Sequence, residues 1–379
     1  MHPSTHGIGS AYLRFLTALP PTTSSRPYLP VLMQLLLDLR QLAVLADRVS
    51  ATSAASTSTT TAPPQPHLES TARQLNKAFT ACVADRNTDM QTSRKWATYR
   101  IVVLLFRTYF KLKSLPLCRN ILRALSAAPL PALEEYPRAD RVSFRYYTGV
   151  LHFLAQEYPR AHTDLLYAWE NCHVGAVKQQ EMILRTLLPL QLLLKGRLPR
   201  RSGKDQPPGF LPQNGQATNP GLLDRFPRMS ALYTPFLTSL SPRPCLSRFS
   251  QSLQDPTLER ALVLQGSYLA VEAIRPILLR EVLRRAWLVK NRETRMSLDD
   301  AQRALRFAGW APETPVSGDD DDRGTGDAGA KEEVEWLVGG LIARGFVKGY
   351  ISHERGMIVL SNTNAFPPLR DVGMGATLL

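Results

Sequence analysis

Apolar residues return every three or four positions through most of the chain, the spacing of helices that bury one face. Leu32, Leu35, Leu36, Leu39, Leu42 and Leu45 predict a helix over 31–49. Shorter patterns predict helices over 12–19, 68–83, 96–112, 117–125, 177–195, 226–240, 246–253 and 258–274. Pro189 inside the 177–195 pattern predicts a kink or a break there. Three stretches interrupt the periodicity. Residues 50–66 are Ser, Thr, Ala and Pro apart from Gln65; 197–220 are basic and then rich in Pro, Gly, Asn and Gln; 312–331 contain Asp319-Asp320-Asp321-Asp322. None can bury a core, so each is expected to be an insertion between helices.

Near the C-terminus the period changes. Leu278, Val282, Leu283, Ala286 and Val289 mark one helix over 277–290. Ser297 with Asp300 three residues on resembles a capping box, opening a second helix with Leu298, Ala301, Leu305 and Ala308. Val334, Leu337, Val338, Leu341 and Ile342 mark a third, which Gly345 stops. The β-rich runs 346–351 and 357–360 follow, joined by His353-Glu354-Arg355-Gly356 as a tight reversal. Three helices and a two-stranded hairpin predict a winged helix over 277–369, with a tail over 370–379. Upstream, Gly149, Ala161, Leu165 and Ala168 have the spacing of a tetratricopeptide-like helical hairpin. The expected fold is mainly α: an irregular TPR-like α-solenoid over 96–276, preceded by a helical region over 1–95 and capped by the winged helix.

Composition sharpens the functional reading. The chain has 379 residues, 44% of them apolar, as a folded protein does, and its net charge of +14 and pI near 9.9 favour a polyanionic partner. Residues 319–335 carry eight acids and two bases, so a local −6 leaves +20 on the rest. Four scattered cysteines form no metal-ligand spacing and fit a reducing compartment. No signal peptide is read at the N-terminus, and runs such as 187–194 are too short for a membrane span. Gly324-Thr325-Gly326-Asp327-Ala328-Gly329 spells a dinucleotide fingerprint, but an aspartate run stands where a strand is required, so a loop is expected. No cofactor or metal site is indicated, and no catalytic motif is present.

The candidate site is therefore a binding surface on the winged helix. Lys290, Arg292 and Arg295 are placed in the turn between its first two helices. Arg303 and Arg306 lie on the second helix, Arg344 and Lys348 flank the end of the third, and Arg355 sits at the wing tip. Cations gathered on one exposed surface suit phosphates. The third helix offers few side chains for base edges, so sequence-tolerant contact with RNA or DNA is expected. Phe106, Tyr109, Phe110, Tyr146 and Tyr147 have helical spacing and are assigned to packing between helices.

A solenoid capped by a winged helix is the plan of the PCI domain. Residues 105–112 (Leu-Phe-Arg-Thr-Tyr-Phe-Lys-Leu) and 117–124 (Leu-Cys-Arg-Asn-Ile-Leu-Arg-Ala) resemble one branch of that family. So do Tyr146-Tyr147-Thr148-Gly149, Met182-Ile183-Leu184 with Leu187-Leu188-Pro189, residues 348–353 and Phe366-Pro367-Pro368-Leu369. That branch holds the PCI subunit of the nuclear transcription-and-export complex and its signalosome-associated paralogue. The resemblance covers most of the chain from about Trp96. It implies a non-enzymatic scaffold, paired with a second PCI-type subunit and a small acidic Sem/Dss-type protein. It further implies residence in the nucleus, at nuclear pores, and in the cytoplasm. By resemblance, Lys348, Tyr350 and Ser352 lie near a partner or nucleic-acid surface. The signalosome-associated alternative would act through protein contacts alone.

Overall fold

The computed structural model describes residues 14, 26–54, 65–85, 87, 89–195, 223, 225–240, 243–312 and 325–372. Apart from Arg14, the expected helix over 12–19 lies outside these residues, as do the 197–220 insertion, 55–64 and 313–324. The chain divides into two compact units, Met1–Leu151 and His152–Leu379.

In the first unit, α1 (Leu29–Ala54), α2 (Pro66–Val83), α3 (Thr98–Lys111) and α4 (Leu115–Ala127) each pack on the next, the neighbour-to-neighbour logic of a solenoid. α1 continues to Ala54, so the start of the expected Ser/Thr insertion is helical. Its buried stripe is Leu32, Leu36, Leu39 and Ala43, whereas Leu42 and Leu45 face solvent, contrary to the expectation. Packing against α2 and α3 selects one face, and the leucines on the other have no described neighbour to cover them. The helical segment Arg26–Thr52, most of it α1, is long and apolar enough to cross a bilayer, and its Leu32, Met33 and Leu36 lie in the core of this unit. Asp47 secures the next turn: its carboxylate accepts from the His67 and Leu68 amides at 3.2 and 2.9 Å, capping the start of α2.

α3 enters through Asp85, which accepts from Ser93 Oγ and the Arg94 amide at 2.8 Å and from Arg94 Nη2 at 2.9 Å. Ile101, Leu105 and Phe106 are fully buried against Leu75 of α2. Rings link α3 to α5 (Arg138–Leu154): Tyr99 meets Phe144 at 4.8 Å, Phe106 meets Tyr147 at 6.2 Å, and Phe110 meets Tyr147 at 5.4 Å. These aromatics belong to helix packing, as their spacing predicts.

In the second unit, α6 (Tyr158–Asn171) buries Ala161, Leu165 and Ala168 and packs on α7 (Val177–Lys195). α7 runs through Pro189 without a break. α8 (Pro227–Leu240), α9 (Leu246–Gln254), α10 (Pro256–Gln265) and α11 (Tyr268–Glu272) continue to α12 (Arg275–Val289), where the winged helix begins. α12 buries Ile277, Leu278, Leu279, Val282 and Leu283, while Val289, expected inside, is exposed.

The sheet has three strands where two were expected: β1 (Arg295–Ser297), β2 (Gly349–Ser352) and β3 (Met357–Leu360), ordered β1-β3-β2 and antiparallel. Thr294 and β1 supply hydrogen-bonding partners for the hairpin edge; the Leu360 amide donates to Thr294 O at 2.7 Å. α13 (Leu298–Phe307) follows β1. α14 (Thr325–Ala343) begins six residues before the expected end of the third insertion. Burial of Ala330 and Val334 extends that helix backward, so most of the glycine-rich fingerprint is helical and not loop.

Candidate nucleic-acid and partner surface of the winged helix

The turn from α12 into the sheet is made by Asn291 and Arg292, both left-handed at φ 55° and 63°. The Arg292 amide donates to Trp287 O at 3.0 Å, and Trp287 Nε1 donates to Glu293 O at 2.9 Å. These bonds aim Arg292 outward. Arg295, expected in the turn, is instead the first residue of β1.

The capping box forms as the sequence predicts. Ser297 Oγ accepts from the Asp300 amide at 3.1 Å and donates to Asp300 Oδ2 at 2.7 Å. The same carboxylate takes Lys290 Nζ on one oxygen and Arg303 Nη2, at 2.8 Å, on the other. Burial opposes charge on Asp300. Hydrogen bonds from Lys290 and Ser297, with the Lys290 and Arg303 charges, nevertheless hold its carboxyl below the usual range. Two candidate cations are thus partly neutralised. Arg344 is half-buried in a 390 Å³ cleft that also holds Arg275 and Glu333.

The remaining candidates converge on the sheet. Met296, Ile358 and Ile351 are in register on its inner face, and Ile351 lies against Gly339 of α14. Alternation puts Arg295, Val359 and Tyr350 in one row on the opposite face, with Ser297, Met357 and Ser352 in the next. Tyr350 is 63% exposed there. Lys348 is exposed at the root of β2, its amide donating to Ala365 O at 2.8 Å and its carbonyl accepting from Ser361 at 2.9 Å. Arg355 is exposed at the wing tip, beside Gly356 at φ 57°. Among the described residues, Arg292, Arg295, Lys348 and Arg355 form no ion pair.

The third helix has the opposite character. Glu332, Glu333 and Glu335 lie on it, with Lys331 paired to Asp299 at 2.8 Å. Glu335 Oε2 meets His353 Nδ1 at 2.8 Å, and this hydrogen bond and charge push the exposed imidazole above its ordinary pKa. Trp336, 81% exposed, stands among these carboxylates. Sequence reading missed Trp336, although it falls off the Val334-Val338-Leu341 stripe and could have been found that way.

No protein-family model matches the chain. It is 42% identical to the protein CSN12 homolog of Mycosarcoma maydis, over 98% of its own length and 76% of the relative's. The chain belongs to the PCI-domain family. The Schizosaccharomyces pombe CSN12 homolog is 32% identical, with 79% of this chain aligned to 62% of that protein. PCI domain-containing protein 2 of Xenopus laevis is 29% identical, with 80% aligned to 65%. Against the Neurospora crassa and S. pombe relatives, this PCI chain spans about three fifths of the relative's length. Its branch is the signalosome-associated one of the CSN12 homologues.

Proposed function

We propose that this PCI scaffold subunit, linked through its relatives to the signalosome, works without catalysis in a nuclear complex coupling transcription to mRNA export. Its winged helix contributes RNA or DNA binding through the sheet face and wing. The observation that carries this reading is the division of charge. Arg292, Arg295, Lys348 and Arg355 are exposed and form no ion pair among the described residues, while the third helix is acidic. Phosphates would be held by the sheet side, and the helix would not enter a groove. A second PCI-type subunit and a small acidic Sem/Dss-type protein are the proposed partners, in the nucleus, at its pores, and in the cytoplasm.

The test is fluorescence anisotropy with a labelled oligonucleotide across a salt series. Changing Arg292, Arg295, Lys348 and Arg355 together to Gln should flatten the slope of log K on log salt by about 2.8 for a single strand, at ~0.7 per lost phosphate contact. An unchanged slope with retained circular dichroism refutes the assignment.

A second reading, a signalosome-associated scaffold acting through protein contacts alone, is favoured by the CSN12 names of the relatives and by Trp336. An exposed tryptophan is a typical anchor of a protein interface. Affinity purification of the full chain separates the two: signalosome-type subunits without nucleic acid would favour the second.

A further inference from the structure

The first unit carries a groove that the winged-helix surface does not explain. Two adjoining clefts, of 670 and 180 Å³, lie along α3 and share Leu37, Arg100 and Asp140. The larger is floored by Met33, Trp96 and Tyr136, with the Arg26 guanidinium 5.0 Å from the Trp96 ring centroid. Where the two clefts adjoin sits Asp140, 9% exposed, whose carboxylate accepts no hydrogen bond from any described residue. Burial raises its pKa, with the Arg100 charge working against that shift.

A line of cations continues from there. Arg100, Arg107 and Lys111 are exposed and recur on one side of α3 at seven- and four-residue steps. Arg107 Nε donates to Tyr147 OH at 3.4 Å, and Arg40 Nη2 donates to Arg107 O at 3.4 Å. Arg40 Nε is buried and finds no acceptor among the described residues. Burial and the neighbouring Arg107 lower the Arg40 pKa; burial, Arg48 and Arg40 lower that of Lys111. Arg40, Arg107, Arg48 and Lys111 thus repel one another, offset in part by Asp47 at Lys111, and a bound polyanion relieves the repulsion.

We propose that this groove binds single-stranded nucleic acid, one base stacking on the Arg26 guanidinium where it covers Trp96, its amino group donating to Asp140 and the following phosphates on Arg100, Arg107, Arg40 and Lys111. Three features select this ligand. The cations follow a line, as a backbone requires. The Arg26 guanidinium over Trp96 supplies a cationic plane on which a base stacks. The buried carboxylate accepts from a base's exocyclic amino group, which uracil replaces with an oxygen and which the carboxylate side chains of an acidic peptide lack. The groove is independent of the winged-helix surface.

The experiment uses the full chain, labelled oligo(C) and oligo(U) of equal length, and a glutamate-rich peptide as competitor. Arg100→Gln with Arg107→Gln removes two exposed cations and one long hydrogen bond to Tyr147, and retained circular dichroism is the control for the fold. Affinity should fall about 20-fold at 0.1 M salt, with the slope reduced by ~1.4. The loss should add to that of the winged-helix variants. Oligo(C) should bind about tenfold tighter than oligo(U), and Asp140→Asn should remove that preference. Oligonucleotide should quench tryptophan fluorescence less in Trp96→Phe than in the parent. Unchanged affinity in the double variant, with only the winged-helix set mattering, overturns this inference and leaves the proposed function standing. Displacement of the oligonucleotide by the glutamate-rich peptide at lower concentration also overturns it. An effect of the groove variants alone would sustain the groove and refute the winged-helix assignment.

Discussion

Arg280 offers the sharpest test of how the wing is held. It lies on α12 at 6% exposure, an unusual place for a guanidinium. Nε donates to Phe346 O at 3.3 Å, and Nη2 donates to Phe366 O at 3.3 Å and Pro367 O at 2.6 Å. Its charge also lies 5.9 Å from the Phe366 ring centroid. One side chain therefore closes the carbonyls of the segment entering the wing and of the segment leaving it. Arg280→Met leaves three carbonyls without this donor while removing a costly buried charge. Glu281 retains Arg284 at 3.2 Å and Arg285 at 3.4 Å, so the substitution does not orphan it. Broken buried charge-assisted bonds minus recovered desolvation give a net loss of about 3 kcal/mol. At ~2–4 °C per kcal/mol, the transition of the second unit should drop by about 6–12 °C. Arg280→Lys, whose ammonium cannot span three carbonyls, should lose about 2 kcal/mol. The assay that localises the effect is amide hydrogen exchange. The Lys348 and Ser361 amides, which tie β2 to the returning segment, should exchange about 100-fold faster if opening becomes easier by that amount. A melting transition within 1–2 °C of the parent's, a shift worth at most about 1 kcal/mol, with unchanged exchange at Lys348 and Ser361, would refute the clamp.

Two further outcomes follow from individual carboxylates. Asp300→Asn should release Lys290 and Arg303, cost about 1 kcal/mol because the pair is partly solvated, and steepen the salt slope of nucleic-acid binding; an unchanged slope would mean these cations never reach phosphate. Asp85 is buried, which by itself raises its pKa, but Arg94 and Ser93 hold the carboxyl below its ordinary value. A depressed folded pKa gives stability that is present above the unfolded value of about 3.9 and lost as pH falls through the folded one. The parent's first-unit transition should therefore weaken more steeply than that of Asp85→Asn on acidification below about pH 5, and parallel acid profiles by circular dichroism would sink this account.

Much of the fold was legible because burial follows period. Leu278, Val282 and Leu283, Leu298, Ala301 and Leu305, and Val334, Val338 and Leu341 are all buried as their spacing predicts. Errors arose where period says which residues are apolar without saying which face finds a neighbour. Leu42, Leu45 and Val289 belong to apolar patterns yet remain exposed. β1 was hidden because three residues, Arg295 to Ser297, are too few to show alternation, and only the hairpin edge completes them into a strand. The candidate cations were legible as residue types but not as partners. Lys290 lies ten residues from Asp300, and nothing local announces that pair. The groove on α3 was still less visible, since Arg40, Arg100 and Asp140 come from three helices.

The pairing of charges decides how this winged helix can meet a polyanion. At physiological ionic strength fields decay within about 8 Å, so a strand sees the face it touches and little of the net +14. An approach by α14 would bring phosphates against Glu332, Glu333 and Glu335. An approach by the sheet brings them to Arg295, Lys348 and Arg355, with Tyr350 offering a ring between. The Glu335 to His353 bond joins the acidic helix to the wing, so the two faces are set as one body. Trp336 then stands on the face that phosphates avoid, where a protein surface can cover it while the sheet remains open. Simultaneous scaffold and nucleic-acid contact thus requires no rearrangement of the domain, only partners of opposite chemistry on its two sides.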